Sequence, residues 1–197
     1  MTQTQASAAV ERRIDRFLRR FAYVRHDNIE TFAQRFVELL KAGAPPRDPR
    51  AILPRIGIAV ERGMVEPAAR ARWQPGAGGY VITVSEHDRT EAQSFAAWRE
   101  AFHLLAARRA FPSDLSQASL ERLSNKFSTA ILMPADAVVE AAERFGTNPE
   151  ALVEVLASRF GVSLTAMRKR LYELEILRPR SRSVHPARAG KTSRRTT

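Results

Sequence analysis

The sequence predicts an α+β fold that is mostly helical and carries one small β-sheet. Apolar residues recur at helical spacing along most of the 197-residue chain. Two short runs rich in β-branched residues, 56–60 and 80–84, are instead typical of strands. Capping residues and proline-containing breaks separate the helical runs, which predicts several short helices around the sheet.

The composition is that of a globular protein, with 44% hydrophobic residues. There is no cysteine, so disulfides and thiolate metal sites are excluded, and any metal needs imidazole, carboxylate or water ligands. Residues 1–9 are polar and lack the apolar core of a secretory signal, and no apolar run is long enough to span a bilayer. We therefore expect a cytoplasmic protein without a membrane partner.

Positive charge is concentrated at the C-terminal end. Of the net charge of +11, seven positive charges lie in residues 178–197, which contain no acidic residue. This segment of Arg, Ser, Pro and Thr cannot build a core and is predicted to be a disordered basic tail. It is either a solvated extension or an arm that contacts nucleic acid phosphates.

Two helices are predicted before the sheet. The first lies within residues 1–26, where apolar residues follow helical spacing with arginines between them. The second begins at Asp27, because Glu30 three residues later completes a capping-box pattern, and it ends at Gly43. The two apolar stripes are Val10, Ile14, Phe17, Leu18 and Phe21, and Ile29, Phe32, Phe36, Leu39 and Leu40.

The middle of the chain is expected to supply the sheet. Asp48, followed by a proline, predicts the start of a short helix that precedes the strand at 56–60. Residues 61–72 are assigned to a short strand or a turn. The stretch 73–79 contains proline and glycine and is predicted to be a loop, and the strand at 80–84 is the clearest of the chain.

Five helices are predicted after the sheet, with local signals at several of their ends. Thr90 and Gln93 form a capping pattern at the start of the first. Asn148, which is followed by proline, and Ser163 are N-cap residues of the last two, and Gly161 separates these two helices. The five helices are expected over residues 90–109, 117–131, 133–145, 148–161 and 163–177.

Residues 99–103, Arg-Glu-Ala-Phe-His, form the most informative motif of the chain. The usual zinc-peptidase motif is His-Glu-x-x-His, in which two imidazoles a helical turn apart hold one metal ion. The glutamate between them takes a proton from the bound water. Here Glu100 and His103 match, whereas Arg99 replaces the first histidine with a guanidinium that has no lone pair for a cation.

The run SFAAWREAFHLL at 94–105 resembles the "RFTLAHELGHLL" segment of the ImmA/IrrE metallopeptidases. Residues 121–134 are similar to that family's "ExxANRFAxxLLMP", with Asn125, Phe127 and the final Leu-Met-Pro as specific matches. The two predicted strands also stand where the family has a pair of strands. The resemblance covers about residues 27–177, which is most of the chain.

The resemblance implies a zincin-like peptidase domain over residues 27–146. In that family the two motif histidines and a downstream glutamate hold zinc, and the motif glutamate is the general base. By position, Glu100 is then the catalytic base, and His103 and Glu121 are metal ligands. Members of the family act by cutting a helix-turn-helix repressor, which implies a repressor protein as the partner.

Arg99 leaves two outcomes open for zinc binding and hydrolysis. Two protein ligands remain where a catalytic zinc usually has three, and a cation at the third position repels the metal. We hypothesise that the Arg99 guanidinium takes the place of the zinc charge by pairing with Glu100 or Glu121. If zinc is nevertheless bound, the chain is a metal-dependent endopeptidase. His87 is a conceivable substitute ligand, although an exposed loop histidine is the simpler interpretation.

Residues 147–177 carry a pattern typical of a helix-turn-helix. Ala157 and Gly161 are four residues apart, and Met167 follows six residues later, a spacing that lets two helices approach closely. This helix pair either supports the peptidase fold or makes the chain a non-catalytic DNA-binding or protein-interaction regulator that also uses the basic tail. The candidate DNA contacts on its second helix are Arg168, Lys169 and Arg170.

Overall fold

The computed structural model confirms the mostly helical α+β class. It describes residues 12, 14–20, 24–66, 70–76, 79–107, 116–145 and 148–178. The predicted basic tail beyond Arg178 lies outside these residues, as do Val10 and Phe21 of the first predicted helix. The elements are α1 (residues 14–18), α2 (Ile29–Leu39), α3 (Pro49–Ile52), β1 (Ile58–Gly63), β2 (Ala71–Gly76), β3 (Gly79–Ser85), α4 (Thr90–Leu105), α5 (Gln117–Leu132), α6 (Ala135–Phe145), α7 (Pro149–Phe160) and α8 (Leu164–Glu173).

Local capping signals determine the starts of several helices. The side chains of Asp48, Asn148 and Ser163 each accept a hydrogen bond from a backbone amide in the first helical turn that follows. The capping box predicted at the start of α2 does not form: the N-cap residue is Asn28, whose side chain makes no cap hydrogen bond. Asn28 Oδ1 instead accepts a hydrogen bond from the backbone N–H of Arg25, at 2.7 Å. Within the described ranges, no helix is both long and apolar enough to cross a membrane.

The sheet has three strands in the order β1-β3-β2, with β1 parallel and β2 antiparallel to the central β3. The strand predicted at 80–84 is confirmed within β3. The strand predicted at 56–60 begins two residues later, because Leu53–Ile56 forms a 3-10 turn. Gly57 ends this turn with a φ of +72°, a left-handed conformation that glycine adopts without a steric penalty.

The loop predicted over 73–79 is wrong for most of its length, since β2 pairs with β3 as far as Gly76. Pro75 is tolerated because β2 is an edge strand of the sheet. A proline there can lack the amide donor without removing a hydrogen bond between strands. The rings of Trp73 and Tyr80 meet edge to face with centroids 5.9 Å apart, which adds packing between the strands. Pairing with a central strand therefore overrides the loop-like composition of this segment.

A buried aromatic cluster joins helices α2, α4 and α5. It comprises Phe32 and Phe36 from α2, Phe102 from α4 and Phe127 from α5, all with no exposed surface. The Phe127 ring centroid lies 5.1 Å from that of Phe102 and 5.7 Å from each of the two α2 rings. The core therefore holds α4 against α5, the two helices that carry the motif residues.

Gly161 lies in the turn between α7 and α8 and has a positive φ of +64°, a conformation that glycine adopts without a steric penalty. An added Cβ would lie 3.4 Å from Pro46 Cβ, so a substitution meets backbone strain and little steric conflict. We expect Gly161→Ala to lower the free energy of unfolding by about 1–2 kcal/mol, measured by urea denaturation. Ser158→Ala, an exposed control in α7, should change it by less than about 0.5 kcal/mol. Equal effects of the two variants would contradict the strain.

Candidate functional site

Helix α4 places the motif between the core and the surface. Trp98 and Phe102 face the core with no exposed surface, and Trp98 Nε1 donates a hydrogen bond to the Arg47 carbonyl at 3.1 Å. Arg99 and His103 lie one helical turn apart, with 26% and 14% of their side chains exposed. The buried residues set the rotation of α4 about its axis, and this rotation directs the two motif side chains to one flank.

The structure brings His103 and Glu121 together across the α4–α5 contact. His103 Nε2 lies 3.6 Å from Glu121 Oε1. Gln117, one turn earlier in α5, donates a hydrogen bond from Nε2 to the same oxygen at 3.1 Å. The imidazole and the carboxylate that the family resemblance implies as metal ligands are thus neighbours.

Arg99 pairs with Glu100, one of the two partners expected for it. Its Nη2 donates a hydrogen bond to Glu100 Oε1 at 3.3 Å, whereas Glu121 is engaged by His103 and Gln117. Arg99 Nε is buried and has no hydrogen-bond acceptor among the described residues. The guanidinium therefore occupies the position of the first motif ligand with part of its donor capacity unused.

Burial shifts both titratable motif residues toward their neutral forms. Desolvation raises the pKa of Glu100 above its usual range, Arg99 partly offsets this, and the negative charge of Glu121 adds to the rise. Desolvation lowers the pKa of His103 below 6.5; Glu121 opposes this shift, and Arg99 reinforces it. His103 is accordingly a neutral imidazole at neutral pH.

The depressed pKa of His103 predicts a loss of stability in acid. The unfolded chain takes up the proton near pH 6.5, whereas the folded chain resists it, so this contribution is present above pH 6.5 and is lost as pH falls through the folded pKa. We expect the free energy of unfolding of the wild type, relative to His103→Asn, to decrease from pH 7.5 to pH 5 in urea titrations. The variant His87→Asn is the control. A constant difference between wild type and His103→Asn would contradict the shift.

The three cations predicted as DNA contacts on α8 lie in different environments. Arg168 pairs with Glu150 of α7, and Lys169 is 79% exposed. Arg170 differs from the prediction: it is 4% exposed and forms two hydrogen bonds to the Glu30 carboxylate, at 2.8 and 3.0 Å. A guanidinium held in the interior in this way cannot reach a base edge, so Arg170 joins α8 to α2 instead.

His87 is not drawn toward the motif. Its side chain is 82% exposed in the loop after β3, and its Nε2 lies 3.9 Å from the neighbouring Glu86. In the described part of the chain, no three His, Cys, Asp or Glu side chains are grouped so that they could hold a metal ion. The pair His103 and Glu121 is therefore the largest part of the implied ligand set that this structure assembles.

The sequence analysis did not predict two polar side chains that contact the predicted site residues. Gln117 lies four residues before Glu121, and this helical spacing was a usable signal for their contact. Glu30 is 140 residues from Arg170, and no local pattern indicates that pair.

Comparisons with known proteins agree with this architecture. The sequence profile described as "IrrE N-terminal-like domain" matches residues 55–172, a shorter stretch than the resemblance over 27–177. A solved structure of a Mycobacterium tuberculosis transcriptional regulator is similar, with a TM-score of 0.53 and 20% sequence identity. The similarity covers 82% of this chain and 51% of the regulator, so this chain spans about half the length of the regulator. At 20% identity the likeness concerns the fold alone. No curated protein matches the sequence significantly.

Proposed function

We propose that this chain, which belongs to the family of IrrE N-terminal-like domains, is a regulator of metallopeptidase descent. In this proposal it binds a helix-turn-helix repressor without cutting it. The observation that carries this proposal is the guanidinium at the first ligand position, with Arg99 Nη2 3.3 Å from Glu100 Oε1. The family and the fold support a metallopeptidase-like regulator; the repressor and the loss of cleavage are the proposed parts.

The residues present do not fit a catalytic zinc centre. Such a centre uses three protein ligands and keeps a fourth position for water. His103 and Glu121 supply two ligands, and Arg99 brings a permanent positive charge without a lone pair to the third position. We therefore derive no hydrolytic step from this site.

The Arg99 cation has a physical role in a metal-free site. Burial raises the pKa of Glu100 above its usual range, and repulsion from the negative charge of Glu121 adds to this rise. In a zinc peptidase the metal would balance these carboxylates. Here the Arg99 guanidinium offsets part of the rise in the pKa of Glu100 and supplies the balancing positive charge, which we propose stabilises the peptidase scaffold without a metal.

Restoring the missing imidazole tests the loss of zinc. We expect the purified wild type to contain less than about 0.1 zinc per chain after dialysis, and Arg99→His to contain about one. Zinc is measured by inductively coupled plasma mass spectrometry. The control Arg168→His adds an imidazole to α8 and should not gain zinc. One tightly bound zinc in the wild type would overturn this part of the proposal.

The repressor part needs a separate experiment. A purified helix-turn-helix repressor from the same genome is mixed with the full chain, and binding is followed by isothermal titration calorimetry. We expect a complex in which mass spectrometry finds the repressor intact, with and without added zinc. Absence of binding rejects the repressor as partner, and zinc-dependent fragments reject the loss of hydrolysis.

DNA binding is the second candidate function, and the exposure of Lys169 is the observation that favours it. The paired Arg168 and the buried Arg170 argue against direct base readout by α8. A mobility-shift titration over a salt series distinguishes the two functions, since phosphate contacts produce steeply salt-dependent affinity. A sequence-specific complex that weakens with Lys169→Met would favour DNA binding over the repressor proposal.

A further inference from the structure

A groove beside the motif helix shares Arg99 with the site described above, and the proposed function gives this groove no ligand. It has a volume of about 390 Å³ and lies between α4 and the start of α8. Phe95, Leu132 and Val162 contribute to its apolar wall. This volume lies within the range of about 300–1,000 Å³ that is usual for small-molecule pockets, so the groove has room for one small organic molecule.

The charged residues that line the groove are mostly cationic. Arg70, Arg99 and Lys169 contribute three positive charges, and Glu91 contributes one negative charge. These residues come from the segment before β2, from α4 and from α8, so the tertiary fold is what gathers them. Like charges brought together repel one another, and a bound anion relieves this repulsion.

The contacts that these cations make within the chain leave them available to a ligand. Arg70 lies 3.7 Å from Asp88 and Lys169 lies 3.8 Å from Glu173, with 64% and 79% of the two cationic side chains exposed. Ion pairs this long and this exposed hold a side chain weakly. In the described part of the chain, Arg99 uses Nη2 for Glu100, and 26% of its side chain remains exposed.

We infer that this groove binds a small organic carboxylate, with the apolar body against Phe95 and Leu132 and the carboxylate among Arg70, Arg99 and Lys169. A guanidinium presents parallel N–H donors that match the two oxygens of a carboxylate, and an ammonium adds a point charge. The apolar wall favours an organic anion over an inorganic one, because only an apolar body removes that wall from water. The inference does not depend on the repressor or on the zinc content.

The probe is hydrocinnamate, an aromatic ring joined to a carboxylate by a short chain, and the comparison compound is its uncharged amide, hydrocinnamamide. Both are titrated into the full chain by calorimetry. We expect hydrocinnamate to bind at least about tenfold more tightly than the amide, because the amide cannot make charge-assisted hydrogen bonds. Binding should weaken in about 0.5 M salt, which screens exposed charges.

Two variants in α8 locate the site. Lys169→Met should weaken hydrocinnamate binding at least about fivefold, since it removes one cation from the groove. Arg168→Met is the matched control: it removes a cation of the same helix that lines a different groove, and it should change the affinity by less than about twofold. Lys169 is tested because its side chain is exposed, so its replacement should leave the fold intact. Arg99 is more buried, and its replacement could also destabilise the fold.

Three results would overturn the inference. The first is that no binding of hydrocinnamate is detected at concentrations up to about 10 mM, which corresponds to a binding free energy weaker than about −3 kcal/mol. The second is equal affinity for the acid and the amide. The third is equal weakening by Lys169→Met and Arg168→Met, which would mean that general surface charge attracts the probe.

Discussion

Phe127→Ala is expected to lower the free energy of unfolding by about 3–5 kcal/mol, the range for removing a buried phenylalanine ring. Phe127 has no exposed surface and packs against Phe32, Phe36 and Phe102 at ring-centroid distances of 5.1 to 5.7 Å. Its loss removes the ring that joins three helices and leaves a cavity that rigid aromatic neighbours cannot fill. Urea denaturation of the wild type and the variant measures the difference.

Phe145→Ala is the matched control for this prediction. Phe145 is 47% exposed, and the Arg159 guanidinium lies 5.9 Å from its ring centroid. Its replacement should lower the free energy of unfolding by less than about 1 kcal/mol, because little buried area and one exposed cation–π contact are lost. A similar loss of stability in Phe127→Ala and Phe145→Ala would show that the aromatic cluster does not form the core described above.

Glu30→Ala is expected to lower the free energy of unfolding by about 2 kcal/mol, because it removes the carboxylate that is hydrogen-bonded to a buried guanidinium. Among the described residues, only the more distant carboxylate of Glu173, 3.6 Å from Arg170 Nη1, then remains as a counter-ion. Arg170 is 4% exposed and makes two hydrogen bonds to the Glu30 carboxylate. Glu30 itself is half exposed, so water partly replaces the lost carboxylate and the effect falls below that of a fully buried pair. The measurement is again urea denaturation at neutral pH.

A double variant tests whether the loss of stability in Glu30→Ala comes from the charge that remains on Arg170. Glu30→Ala combined with Arg170→Met should be more stable than Glu30→Ala alone, because the buried charge that lost its hydrogen-bonded carboxylate is then absent. The control is Glu150→Ala, which breaks the more exposed pair with Arg168 and should lower the free energy of unfolding by less than about 1 kcal/mol. If Glu30→Ala matches Glu150→Ala, the buried pair does not stabilise the contact between α2 and α8.

Sequence patterns accounted for features whose determinants lie within a few residues. The N-caps Asp48, Asn148 and Ser163 were readable because each side chain bonds to an amide in the next turn. The placement of Arg99 and His103 on one flank of α4 follows from helical periodicity. Local signals failed for β2, whose proline and glycine content resembles a loop but whose pairing partner lies in another segment.

The sequence by itself determined the α+β class, most helix boundaries and the identity of the motif residues, because hydrogen bonds and periodicity within one turn depend on neighbouring residues alone. Only the tertiary structure decided which of the two expected carboxylates pairs with Arg99, that Arg170 is buried against Glu30, and that three cations surround one groove. The last two of these features depend on how packing places α8 against α2 and α4. Packing of this kind joins residues up to 140 positions apart, and no local pattern encodes it.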